Sequence, residues 1–118
     1  MGQVSKHIAR VGEDRVCTSI IVAAELRYGA TKKASRQLTQ RVNDALEILD
    51  VRDWEPPADA LYGNLRTKLD RSGRTMGAND MLIAAQVLAL GLILVTDNRR
   101  EFIQVSDLRI ENWLRDET

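Results

Sequence analysis

The chain of 118 residues holds one cysteine, Cys17, and one histidine, His7. A lone cysteine excludes an internal disulfide framework, and its place in a predicted strand makes it a small buried hydrophobe rather than a nucleophile. His7 has polar neighbours and no Cys or His within ligand spacing, so it reads as a surface residue without a metal role. An excess of one charge is also missing, since 17 basic residues face 17 acidic ones. Any nucleic-acid binding must therefore come from a local patch and not from bulk charge. With no apolar run of about 18 residues and no signal peptide, membrane insertion and secretion lack support, and a cytoplasmic protein is expected. A Gly-rich phosphate loop, a G-x-S-x-G elbow and a Cys/His pair are absent too, which removes the common rival mechanisms. Without a glycine-rich turn after an early strand, a nucleotide-binding α/β domain is the weaker alternative.

What is present is ordinary globular material, 44% hydrophobic and 29% charged, in a length that suits one domain over residues 1–118 with no linker or repeat. In Met1 to Asp14, Val4, Ile8 and Val11 stand four and three apart, which predicts a short amphipathic helix ended by Gly12. A strand over Arg15 to Thr18 follows, and Ser19 suits the N-cap of a helix from Ile20 to Tyr28 closed by Gly29. Leu38, Val42, Leu46 and Leu49 mark a long helix between Thr31 and Asp50, whose Lys32, Lys33, Arg36 and Arg41 read as a solvated face. Val51 to Trp54 suits a short strand, and Pro56 and Pro57 open a helix that carries Leu61, Leu65 and Leu69 and closes at Gly73.

The most informative stretch runs from Arg74 to Phe102. From Asn79 or Asp80 to Leu90 the apolar residues form a broad stripe at helical spacing, and Gly91 ends it where a left-handed residue is favoured. Leu92 to Val95 is a continuous apolar run too short for a helix, so it reads as a strand covered on both faces. A turn or short helix leads to Phe102, and Leu108 to Trp113 alternates as a final strand would. In an α/β sheet a helix runs antiparallel to the strands it connects. Asp80, opening the helix, and Asp97, following the strand, should therefore meet at the carboxyl edge, where such sheets bind ligands. Each alone has a plain explanation, a helix-start acid for Asp80 and an Asp-Asn turn for Asp97.

Glu25 adds a third carboxylate. At 100° per residue it falls between Ile21 and Val22, so the helix puts a charge into an apolar stripe, where it needs a cation, a donor or a metal. A salt bridge from an arginine is the structural alternative. About one and a half turns into its helix, Glu25 is within side-chain reach of Asp80 and Asp97. Carboxylates gathered in this way repel one another unless a divalent cation sits among them, and oxygen donors favour Mg²⁺ or Mn²⁺. Such a site suits metal-assisted hydrolysis of a phosphodiester. Arg99 and Arg100 could neutralise a neighbouring phosphate, with Arg74 a further weak candidate for RNA contact.

The segments TSIIVAAELRYGA, GANDMLIAAQVLALGLILVTDNRREF and LRIENW resemble the PIN-domain ribonucleases, in particular the VapC-type toxins of bacterial toxin–antitoxin pairs. Glu25 matches the family's acid in E-L-x-x-G, Asp80 the acid opening the helix before I-A-A, and Asp97 the acid after the last core strand, with Thr96 as the small hydroxyl residue beside it. The resemblance implies a parallel sheet flanked by helices, Mg²⁺-dependent cleavage of RNA, a cognate antitoxin and a homodimer. Members begin with an apolar strand that delivers a first aspartate, and nothing before Val16 has that form, Asp14 being a poor substitute. The chain is thus expected to lack this first, central strand, through truncation or a misassigned start. The loss would leave neighbouring strands without a shared partner and remove one of four acidic ligands, with impaired activity as the consequence. The alternative is a catalytically inactive PIN-like module that binds an antitoxin or a toxin partner.

Overall fold

A computed structural model of the chain describes residues 7–11, 15–96 and 98–111. In chain order they form strand β1 (His7–Val11), strand β2 (Arg15–Ser19), helix α1 (Ile20–Lys33), helix α2 (Arg36–Ile48), strand β3 (Asp50–Arg52), helix α3 (Ala58–Arg71), helix α4 (Ala78–Leu90), strand β4 (Ile93–Thr96), the single-turn helix α5 (Arg99–Phe102) and strand β5 (Ile110–Glu111). The sheet order is β3-β2-β1-β4-β5. Pairs β2–β3 and β4–β5 are parallel, and β1 is antiparallel to both of its neighbours. Four strands thus share one direction, as expected of an α/β sheet, and the central one opposes them.

That central strand corrects two expectations. His7–Val11 is strand and not helix, because five residues at helical spacing are a weak signal beside two open strand edges that can each take a full ladder of hydrogen bonds. The place expected to be vacant between β2 and β4 is filled, with Ile8 opposite both Thr18 and Val95. Asp14 lies outside the described residues, as do residues 1–6 and 12–13.

Helix α1 starts as its sequence dictates, with Ser19 Oγ accepting from the Ile21 N–H at 2.9 Å. It does not stop at Gly29. The helix continues to Lys33 because Ala30, 2% exposed, is packed with Ala23, Val42 and Leu46 between α1 and α2, and that contact outweighs the cost of roughly 1 kcal/mol for a mid-helix glycine. The break comes at Ala34, in the left-handed region with φ 52°, and Ser35 caps α2 by accepting from Leu38 N–H at 3.1 Å.

The main core lies between the sheet and helices α3 and α4, and includes Cys17, Val22, Leu65, Leu69, Ile83, Leu94 and Phe102. Helix α4 is enclosed on most sides, with Met81, Ile83, Ala84, Ala85, Gln86 and Val87 all buried. Buried Gln86 ties it to the chain leaving β3, its Nε2 donating to the carbonyls of Arg52 and Asp53 at 3.0 and 2.8 Å. Trp54 adds a second tie through Nε1 to the Leu82 carbonyl at 2.9 Å. Gly91 ends α4 with φ 67°, and β4 follows two residues later. Because α4 returns directly into β4, its N-terminus is held at the edge where β2 and β4 end. Among the described residues no helix is long and apolar enough to cross a membrane.

Candidate active site

Three helices begin at this carboxyl edge: α1 after β2, α4 before β4, and α5 after β4. Each carries a carboxylate near its start or along its first turns. Glu25 projects from the second turn of α1 and accepts from Asn79 Nδ2, in the first turn of α4, at 3.2 Å. That bond joins residues 54 apart in sequence and brings Glu25 to the start of α4, as expected. One detail differs. Glu25 is exposed, because the buried face of α1 is Val22, Ala23 and Ala30 and Glu25 falls to one side of it. The carboxylate therefore needs no arginine to tolerate burial, and its bonded partner among the described residues is Asn79.

Asp80 occupies the first turn of α4 and is partly buried. A Cβ placed on Gly77 would meet Asp80 Oδ2 at 3.5 Å and Glu101 Oε1 at 3.9 Å, so both carboxylates converge on the residue that caps α4. Glu101 arrives there from α5, accepting from the Gly77 N–H at 2.8 Å. Unpaired N–H groups and the positive end of the helix favour negative charge at this position. The acids of α4 and α5 are thus aimed at one place.

Glu101 was not among the candidates read from the sequence. The available signal was its spacing, since it stands four residues after Asp97 with only one turn of helix between them. Nothing in composition says that Glu101 faces Gly77; the direction of α5 does. That helix is set by Phe102, fully buried at 0% exposure, and by Gln104, whose Nε2 donates to the carbonyls of Thr75 and Glu101 at 3.2 and 3.1 Å. Asp97 lies outside the described residues. Thr96 ends β4 at 1% exposure, and its Oγ1 accepts from Asn98 N–H at 3.0 Å, which shapes the turn into α5. Arg99 and Arg100 are exposed on α5, and Arg74 precedes Gly77 on the segment that leads into α4.

The carboxylate oxygens of Glu25, Asp80 and Glu101 form a hard-cation donor set, and Cys17 is buried in β2, while the backbone of His7 in β1 pairs with Thr96 at the same edge. Among the described residues no three His, Cys, Asp or Glu side chains close into a cluster that would hold an ion unaided. Asp80 and Glu101 meet at Gly77, and Glu25 is bonded to Asn79, the residue before Asp80. Oxygen donors of this kind suit a hard divalent cation, which keeps several of its waters.

Residues 3–108 match the PIN domain family. The chain is 42% identical over 101 residues to ribonuclease VapC2 of Haemophilus influenzae, covering 85% of this chain and 76% of that protein. It is 36% identical over 104 residues to the tRNA(fMet)-specific endonuclease VapC of Shigella flexneri, covering 87% and 79%. Among solved structures, VapBC-1 of nontypeable Haemophilus influenzae superposes with a TM-score of 0.79 at 30% identity, over 89% of this chain and 79% of that one. VapBC2 of Rickettsia felis, bound to a promoter DNA fragment, gives 0.72 at 38% identity, over 82% and 74%. With a family match across nearly the whole chain and relatives this similar over most of their length, the chain belongs to the PIN-domain family and is a VapC-type member of it.

Proposed function

We propose that this chain is the endoribonuclease toxin of a toxin–antitoxin pair, hydrolysing RNA phosphodiester bonds at the carboxyl edge of the sheet with the help of Mg²⁺ or Mn²⁺. The observation that carries the reading is the meeting of acids from α1, α4 and α5 around the first turn of α4, held by the Asn79–Glu25 and Gly77–Glu101 hydrogen bonds. Glu25, Asp80 and Glu101 would hold the cation, with Asp97 a further candidate from the sequence. When bound, the ion supplies charge neutralisation at the phosphate and a water of lowered pKa. The chain's own part is positional. Asn79 keeps the Glu25 carboxylate turned toward α4, the Gly77 N–H fixes that of Glu101, and Thr96 sets the turn from which α5 starts. Arg99 and Arg100 offer the nearest exposed cations for phosphate oxygens. The VapBC complexes among similar structures support a protein antitoxin as partner, and a homodimer belongs to the same reading.

The test is cleavage of transfer RNA and other structured RNA by the purified chain with Mg²⁺ or Mn²⁺, beside Asp80→Asn. The variant is expected to lose cleavage and keep its thermal midpoint; equal cleavage would remove Asp80 from the mechanism. A second reading rests on the open arrangement of the acids, of which no three close into a cluster among the described residues. In that case the chain is an inactive module that binds an antitoxin or a second toxin copy. It predicts no cleavage even at high protein concentration, together with stable co-elution with the antitoxin.

A further inference from the structure

A groove of about 330 Å³ lies between the C-terminal half of α3 and the segment after α5. That volume is at the lower end of small-molecule clefts. Its floor is apolar, formed by Leu65, Leu69, Leu88 and Val105, of which Leu65, Leu69 and Val105 belong to the buried core. Its rim is polar and carries two cations, Lys68 and Arg74, against one acid, Asp107. Neither cation is in an ion pair among the described residues. The groove also adjoins the site through covalent and hydrogen-bonded neighbours: Arg74 lies three residues before Gly77, and Gln104, three residues after Glu101, is bonded to the carbonyls of Thr75 and Glu101.

We propose that this groove is a nucleotide subsite, holding one base of the RNA substrate beside the bond to be cut. The proposal rests on the endoribonuclease reading and specifies how that site takes hold of its substrate. A cluster of carboxylates repels a polyanion, and a chain with no net charge has no bulk attraction to offset this. Binding energy must therefore come from a neighbouring surface of opposite sign that also has a use for the base. The groove supplies both. A floor of aliphatic side chains accepts a base face by apolar contact. The exposed Ser106 hydroxyl has donor and acceptor capacity for a base edge, Gln104 keeps its Oε1 as an acceptor because its Nε2 already donates to two carbonyls, and Lys68 and Arg74 are placed to meet the sugar-phosphate chain. An apolar peptide would use the floor but leave the two cations without a partner; an inorganic anion would use the cations and leave the floor bare.

The experiment is titration of the metal-free chain with AMP, GMP, CMP and UMP, followed by two-dimensional NMR of backbone amides, leucine methyls and the Gln104 side-chain amide, with inorganic phosphate as a parallel probe. The nucleotides are expected to shift Leu88, Gln104 and Ser106, with affinity at least tenfold weaker in Lys68→Glu and in Ser106→Trp, which fills the groove from an exposed position. Both variants are checked for an unchanged thermal midpoint. The same shifts from phosphate alone would reduce the groove to an anion patch and overturn the proposal. Shifts that track protein concentration instead of nucleotide would mean that a second copy of the chain covers it, which also overturns the proposal. Because no metal and no cleavage enter the measurement, the two readings fail separately. Cleavage without nucleotide shifts sinks the subsite alone, and nucleotide shifts without cleavage sink the nuclease alone.

Discussion

Replacing Glu101 by Gln separates a metal-binding carboxylate from a structural one, because the two roles move stability in opposite directions. In the metal-free chain the Glu101 and Asp80 carboxylates repel. Their oxygens are no farther apart than the sum of 3.5 and 3.9 Å, the distances at which each meets a Cβ built on Gly77. Two unit charges about 7 Å apart repel by about 0.6 kcal/mol in water and about 2.4 kcal/mol at an effective dielectric of about 20. The Gln amide oxygen can still accept from Gly77 N–H, although a hydrogen bond to a neutral acceptor is weaker by about 1 kcal/mol. These two changes nearly cancel, so Glu101→Gln without metal should be as stable as the parent within about 1 kcal/mol.

With metal the balance changes. At a cation concentration of 100 times Kd, binding to the folded state stabilises the parent by about 2.7 kcal/mol. Loss of a charged ligand should weaken binding by about 100-fold or more, given that even partners one shell further out are worth 10 to 100-fold. At the same cation concentration the variant would then gain only about 0.4 kcal/mol. For a domain of this size about 1 kcal/mol moves the midpoint by roughly 4 °C, so the parent should gain roughly 10 °C and the variant about 2 °C. Thermal unfolding in EDTA and across a Mn²⁺ titration reads both numbers. An equal metal-induced gain in the two proteins would refute the assignment of Glu101 to the metal. A loss of more than about 2 kcal/mol in EDTA would show instead that its carboxylate is structural.

Glu25→Gln is expected to lower Mn²⁺ affinity while shifting the metal-free midpoint by no more than about 0.5 kcal/mol equivalent, since Glu25 is exposed and surface changes are small; calorimetric titration beside thermal unfolding checks this. Phe102→Ala should cost about 3 to 5 kcal/mol because Phe102 is 0% exposed and anchors α5, and urea unfolding would measure a correspondingly lower midpoint. Gln86→Leu gives up two hydrogen bonds, each worth about 0.5 to 1.5 kcal/mol. It also removes a buried Oε1 that has no partner among the described residues, whose desolvation costs about 1 to 3 kcal/mol. The net change should stay within about 1 kcal/mol in urea unfolding, and a loss above about 3 kcal/mol would show that this oxygen is satisfied in solution.

What could be read from the chain alone divides along a physical line. Signals confined to one element and its own termini held: Ser19 before α1, the apolar run of β4 and Gly91 at positive φ after α4 are decided by backbone sterics and local hydrogen bonds. The expectation that Glu25 and the start of α4 converge also held, because a helix between parallel strands must run against them whatever its sequence. Boundaries settled by a distant partner were misplaced. Gly29 suits a helix end in isolation, but Ala30 packed against α2 carries the helix past it. The turn between α1 and α2 falls at Ala34, a residue with no special freedom at positive φ, so the two helices were seen as meeting elsewhere. His7–Val11 becomes strand only because β2 and β4 offer it two edges.

The positions of the candidate carboxylates follow the same division. The place of Asp80 can be read from the chain because a position in the first turn of a helix fixes where a side chain goes, and that of Glu25 because its distance from the start of α1 fixes its height. Glu101 is on a short segment whose sequence alone does not say where its side chain goes. That it reaches Gly77 depends on the direction of α5. That direction is determined by Phe102 entering the core and by Gln104 bonding back to the Thr75 carbonyl, contacts made with elements far away in sequence. A candidate site assembled from three helices is therefore only as predictable as the packing of the shortest of them, and in this chain that helix has one turn and one buried aromatic to hold it.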